Sequence, residues 1–150
     1  MSKVEQAVAC FKGGFNCSQA ILSTYGEAAG LERHVALKIA TGVGGGMGNM
    51  GEVCGAVTGA IMVIGLMHGA TKAEDMQAKE RTRALVREFT TKFKARNGCI
   101  QCRELLGCDL GTTEGIQAAK DKNLFVTLCP KLVEGAAVIL EEMIDSQKAR

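Results

Sequence analysis

The sequence predicts an all-α, single-domain bundle of six to eight helices packed around a central apolar helix at about residues 53–67. Three observations carry this expectation. One Pro, no Trp, one Tyr and five Phe among 150 residues are a poor supply for β-sheet, which favours aromatic and β-branched side chains. Apolar residues recur at steps of three and four where a periodicity is visible. Finally, Val53 to Met67 is a run of fifteen residues without a charge. That is short of the roughly 18–20 needed to cross a bilayer, so it reads as a helix buried on all sides at the bundle centre.

The elements follow in order. Val4, Ala7, Val8 and Phe11 share one face of a short first helix that Gly13-Gly14 stops. Asn16 suits the N-cap of a helix from Cys17 to about Ala29, with Gly30 as terminator. A third helix is expected from about Glu32 to Thr41. Gly42 to Gly51 holds six glycines in ten residues, too permissive in backbone angles for regular structure. In the central helix, Gly55, Ala56, Gly59 and Ala60 allow close approach of a neighbour, although each interior Gly costs about 1 kcal/mol relative to Ala. Something is therefore expected against the backbone there. Residues 73–96 form the longest helix, with Leu85, Phe89 and Phe93 on one side and a solvated, basic face elsewhere. Asn97-Gly98 is a turn. Short helices are expected at Cys99–Leu106 and Glu114–Asp121, and Pro130 fits the first turn of a last helix reaching about Lys148.

Composition excludes several classes of function. Eighteen Lys+Arg against sixteen Asp+Glu give a formal charge of +2, too balanced to indicate nucleic acid. No membrane span is expected. The first twelve residues lack the apolar core of a signal peptide, and seven cysteines, an odd number, fit a reducing compartment better than a paired secreted framework. The expected location is the cytoplasm.

The cysteines carry the chemistry. Cys17, Cys54 and Cys129 fall at expected helix starts, where free N–H groups and the helix dipole favour thiolate and lower the pKa below its free value of about 8.5. Thiolate is both the nucleophile of disulfide exchange and the metal-ligating form, so the placement serves either use. Cys10, between Ala9 and Phe11, reads as a small buried hydrophobe. Cys99-Ile-Gln-Cys102 is a Cys-x-x-Cys pair without the strand of a thioredoxin-type site, without the His that covalent haem requires, and without the second pair of a zinc ribbon. Local ferredoxin spacings are absent too, so the fold must collect any cysteine centre from distant helices. No haem is expected.

Around Cys54, Gly45, Gly46, Gly48, Gly51 and Gly55 are candidates to bring backbone N–H groups to a cluster, an anion or the Cys54 sulfur. The Gly-x-Gly-x-x-Gly match at Gly46–Gly51 lacks the preceding strand of a dinucleotide site. Met47 and Met50 read as flexible packing, with a soft Cu(I) site as the alternative. Glu52, two residues before Cys54, is a candidate to move protons at the thiol. His34 and His68 form no ligand spacing and read as structural or surface residues.

Taken together, Gly14-Phe-Asn-Cys17-Ser-Gln-Ala20, Gly42 through Gly51-Glu52-Val-Cys54-Gly-Ala-Val-Thr-Gly59, Cys102-Arg-Glu-Leu-Leu-Gly107 and Cys129-Pro130 resemble the redox-active proteins labelled C_GCAxxG_C_C. The resemblance covers nearly the whole chain, although Cys-Gly-Ala stands here where the label has Gly-Cys-Ala. It implies an α-helical protein with a redox or iron–sulfur role and motif cysteines at Cys17, Cys54, Cys102 and Cys129. Haem-bearing split-Soret cytochromes look like extended versions, but their attachment motif is missing here.

Three readings follow. The first is an iron–sulfur cluster or other metal centre held by Cys17, Cys54, Cys102 and Cys129, with Cys99 a further candidate ligand, acting in electron transfer or redox sensing with a redox partner protein. The second is a thiol–disulfide enzyme in which Cys54 attacks, Cys17 or the Cys99/Cys102 pair resolves, and Glu52 assists. The third is a zinc or copper binding module. A centre shared across a homodimer is compatible with the first.

Overall fold

The computed structural model describes residues 1–149. Its helices are α1 (Lys3–Lys12), α2 (Cys17–Gly26), α3 (Arg33–Ala40), α4 (Gly55–His68), α5 (Met76–Asn97), α6 (Cys102–Leu106), α7 (Thr113–Asp121), α8 (Leu124–Thr127) and α9 (Cys129–Lys148), with a 3₁₀ turn at Glu27–Ala29. Beyond one isolated antiparallel bridge, Val53 to Gln101, no β-structure is present among the described residues. The all-α expectation holds. With α8 and α9 taken as one rod broken at Leu128, the helix number also falls within the expected range.

Local sequence explains most boundaries. Ser2 and Glu5 form a capping box at α1, and Asn16 and Gln19 form another at α2; each such cap contributes about 1 kcal/mol. Gly30, at φ 90°, and Gly98, at φ 93°, take the left-handed turns that stop the preceding helices. Several boundaries depart from expectation. The α-helix α2 ends at Gly26, with a 3₁₀ turn continuing to Ala29, and α5 begins at Met76, behind the Asp75 cap, and not at residue 73. Residues 99–101 run extended, because Gln101 pairs with Val53, so α6 begins at Cys102 and not at Cys99. The four-residue α8, opened by Asn123 in the left-handed region, was not visible in the periodicity.

The main core is formed by α2, α4, α5 and α9, with Ile21, Val57, Val63, Phe89, Phe93, Val133 and Leu140 fully or almost fully buried. The Phe89 and Phe93 rings stack at 6.2 Å between centroids. The predicted partner of the α4 glycines is α2, its closest neighbour: a Cβ at Gly59 would lie 3.0 Å from Ile21 Cβ and from the Ser18 carbonyl oxygen. The expectation that α4 is buried on all sides is corrected at its C-terminal end, where Leu66 and Met67 emerge 41% and 40% exposed. Thr58, Ile61 and Met62 are also only half-buried along its length.

A second, smaller cluster comprises Cys102, Leu106, Cys108, Leu110 and Ala119, with Phe125 and Cys129 packed against it. The seam between this cluster and the main core holds the site described below. Phe89→Ala should destabilise the protein by about 3–5 kcal/mol in urea unfolding, as deletion of a fully buried ring does, whereas exposed Met50→Ala should change stability by less than about 0.5 kcal/mol.

Candidate functional site

The site starts at the N-terminus of α2. The Asn16 side chain accepts from Gln19 N–H at 2.8 Å and donates to the carbonyls of Ala40 and Thr41 at 3.3 and 3.0 Å. Gln19 donates in turn to the Leu37 carbonyl and the Thr41 hydroxyl. One capping residue thus ties α2 to the end of α3, where the glycine loop departs, and Cys17 follows it directly.

The loop is not formless. Gly45, Gly46, Met47, Gly48 and Asn49 have consecutive positive φ angles of 59–72°, so the chain makes a left-handed turn. Its hydrogen bonds reach unusually far back: Gly48 N–H donates to Gly42, Gly51 to Gly45 and Glu52 to Gly46. Met47 takes this conformation with a Cβ, which costs roughly 1–2 kcal/mol, and Asn49 tolerates it better. Gly46 has a further requirement, because a Cβ there would lie 2.7 Å from Cys102 Cβ and 2.5 Å from Glu52 N.

Three backbone hydrogen bonds then clamp the loop's exit to the start of α6. Cys54 N–H donates to Ile100 at 2.7 Å, Cys102 N–H to Glu52 at 2.6 Å and Arg103 N–H to Gly51 at 3.2 Å. This clamp brings Cys54, the N-cap residue of α4, beside Cys102. Cys17 arrives from the other side: its sulfur sits where a Gly55 Cβ would be, so alanine there would collide with it.

A cavity of about 310 Å³ opens at this seam. Cys17, Cys54, Cys102 and Cys129 all line it, together with Gly45, Asn16 and Asn49. Its remaining walls are apolar: Phe11 and Phe15 on one side, Leu105, Leu106 and Leu110 on another, and Ile116, Phe125 and Leu132 from the C-terminal helices. Lys120, exposed on α7, is the charged residue lining it.

The four thiols divide sharply in acidity. A hydrogen bond from Cys54 holds Cys17 down to about 7; burial opposes this, and the backbone N–H groups of Gly45, Ser18 and Cys17 itself assist. The same hydrogen bond, then burial, then the charge on Cys17 push Cys54 well above the ordinary thiol range. Cys17 is the thiolate of the pair, because more N–H donors point at its sulfur than at Cys54. Burial, followed by the Cys17 charge and Asp109, raises Cys102 to about 11. Burial, then Cys17 and Cys102, raises Cys129 to about 12.

These values revise the expected ranking of the sulfurs. Only Cys17 is lowered, chiefly by Cys54 with backbone N–H groups assisting; at Cys54 the N–H of Ala56 acts in the same direction but is outweighed. Cys54 is the proton-bearing partner. Cys129 has no free helix start beneath it, because α8 precedes α9 and Leu128 between them is itself helical.

The other candidates lie elsewhere. Glu52 is half exposed and pairs with Arg103 at 3.5 Å; it does not line the cavity. Cys99 does not line it either, so the Cys-x-x-Cys spacing contributes one sulfur, Cys102. Among the glycines, Gly45 and Gly55 face the cavity, Gly46 abuts Cys102, Gly51 packs near Arg103, and Gly48 has open space around it. Met47 and Met50 are 42% and 56% exposed, and so are neither packing nor part of the site. Cys10 contacts the Ser23 hydroxyl at 3.7 Å, and Cys108 is buried in the second cluster. His34 is exposed beside Glu32. The sequence reading missed Asn16 as the tie to α3, Lys120, and the aromatic and aliphatic walls; of these only the Asn16 cap left a local signal.

Among the described residues, no group of three or more His, Cys, Asp or Glu side chains is placed to hold a metal ion. No single helix among them is long and apolar enough to cross a membrane.

The model of the family described as "Putative redox-active protein (C_GCAxxG_C_C)" matches residues 15–143, and the chain belongs to that family. No curated protein and no solved structure matches it.

Alkylation of Cys17 by iodoacetamide, followed against pH, should be half-maximal near pH 7 and level off above it. Cys54→Ala removes the hydrogen-bond donor and should move the midpoint upward, slowing the reaction at neutral pH. An unmoved midpoint would show that Cys54 does not stabilise the Cys17 thiolate.

Proposed function

We propose that this member of the C_GCAxxG_C_C family is a thiol–disulfide redox protein whose electron-carrying couple is Cys17 and Cys54. One observation supports the reading above the others: Cys17 and Cys54 line a common cavity, with the Cys17 sulfur packed against Gly55, the residue that follows Cys54. An attacking thiol works best with a pKa near the ambient pH, because a lower one loses nucleophilicity and a higher one leaves little thiolate. Cys17, at about 7, meets that condition.

The exchange balances with a disulfide as the oxidant. Cys17 thiolate attacks one sulfur of the substrate disulfide and displaces the other. The Cys54 proton passes to a leaving sulfur, and the Cys54 thiolate then attacks Cys17 in the mixed disulfide. The protein ends with a Cys17–Cys54 disulfide, having given two electrons, and the substrate ends as two thiol groups, one of them still ionised. Cys102 and Cys129 stay protonated at neutral pH because burial raises them. A redox partner that restores the dithiol completes the cycle.

A second reading is favoured by a different observation, that the four family cysteines line one cavity. Their donor chemistry fits an iron–sulfur cluster, which contains its own bridging sulfides and so spans thiols that do not converge on one ion. A lone zinc or copper ion fits less well, since no three ligating side chains are grouped for it among the described residues. Cys17, Cys54, Cys102 and Cys129 would hold the cluster, with the Gly45 N–H directed at the Cys17 sulfur. Such a group, when bound, supplies one-electron transfer.

Treatment of the metal-free protein with diamide should remove two hydrogens from its mass and join the peptides containing Cys17 and Cys54. A bond between any other pair, or no bond, would overturn the dithiol reading. Protein purified without oxygen should carry less than stoichiometric iron and acid-labile sulfide; stoichiometric amounts lost on Cys129→Ser would favour the cluster instead.

A further inference from the structure

We infer that the cavity beside Cys17 is a binding site for a small aliphatic disulfide carrying a carboxylate, and that this is the substrate class of the dithiol. The inference rests on the dithiol reading for its chemistry, but on the cavity's size, walls and charge for the identity of the ligand.

Size comes first. A space of about 310 Å³ lies at the small end of the roughly 300–1,000 Å³ range of small-molecule pockets. That suits a short acyl chain better than a folded protein's disulfide with its flanking backbone. The walls come second: Phe15, Leu106, Ile116, Phe125 and Leu132 favour hydrocarbon over a peptide such as glutathione, whose amides and charges would be left unpaired. Charge comes third. Lys120 lines the cavity, lies on the exposed side of α7, and makes no ion pair among the described residues. A carboxylate held there would put the attached chain in the same cavity that Cys17, Cys54, Cys102 and Cys129 line.

Bound this way, the ligand's disulfide is opened by Cys17 and its second sulfur leaves; closure of the Cys17–Cys54 bond releases the ligand as a dithiol. Two electrons pass from protein to ligand, the Cys54 proton moves to one ligand sulfur, and the other sulfur leaves as thiolate. The reaction is reversible, and the reverse direction would reduce the protein disulfide with the same dithiol.

Two assays separate the cavity from the chemistry. Octanoate, a redox-inert chain of about the right size, should slow iodoacetamide alkylation of Cys17 in the native protein, and octanamide should do so much less. Lys120→Gln should weaken octanoate protection about fivefold, the scale of an exposed ion pair, while Lys122→Gln, outside the cavity, should leave it intact. In the second assay the reduced protein should exchange with lipoate faster than with lipoamide, and faster still than with oxidised glutathione. Equal protection by octanoate and octanamide, or none by either, would overturn the ligand assignment while leaving the dithiol reading in place. Protection by octanoate with no exchange on any disulfide would overturn the dithiol reading, and with it the substrate class.

Discussion

The site depends on one contact, the approach of Cys17 at the start of α2 to Gly55 and Cys54 at the start of α4. Cys17 comes this close because Gly55 has no side chain, so its sulfur takes the space a Cβ would fill. The proximity of the two thiols biases which sulfur carries the charge. It lowers Cys17 and raises Cys54 in one step, and the N–H groups of Gly45 and Ser18 add to the bias. A negative charge inside an apolar seam is costly unless donors surround it, and the two helix starts and the glycine loop supply them.

The remaining sulfurs follow from that charge. Cys102 and Cys129 belong to the second cluster, which closes over the pair from the opposite side. Burial raises both, and the Cys17 charge raises them further. The seam therefore holds one sulfur that ionises near neutral pH among three that stay protonated there. The clamp between Gly51–Cys54 and Ile100–Arg103 connects the two halves. Substitution at Gly46 would disturb it directly, since any Cβ there would press on Cys102.

Much of this was legible in the sequence. The Asn16 cap, the Gly30 stop, the uncharged α4 and Pro130 in the first turn of α9 are local signals, and each marks the element it was expected to mark. The four motif cysteines were named from the resemblance to a family, and Cys17, Cys54 and Cys129 also from their position at expected helix starts. What could not be read was how the elements combine. The left-handed turn at Gly45–Asn49 depends on hydrogen bonds to residues five and six positions back, which no helical or strand periodicity records. Which of Cys17 and Cys54 is the more acidic was not readable, since both stand at helix starts and only three-dimensional contact shows which sulfur receives the donors. Cys129 lost its expected acidity because burial, followed by the charge on Cys17, raises its thiol. Glu52 is nearest to Cys54 in sequence, yet its side chain turns outward to Arg103.

The most direct test is a redox titration of the metal-free protein in dithiol–disulfide buffers, with Cys17 and Cys54 read by mass-resolved alkylation. Both thiols should disappear together in a single two-electron transition, changing about tenfold in ratio per 30 mV, and the transition should vanish in Cys17→Ser and in Cys54→Ser alike. If the two thiols titrate independently, or if the transition survives either substitution, the pairing across α2 and α4 is not the redox centre.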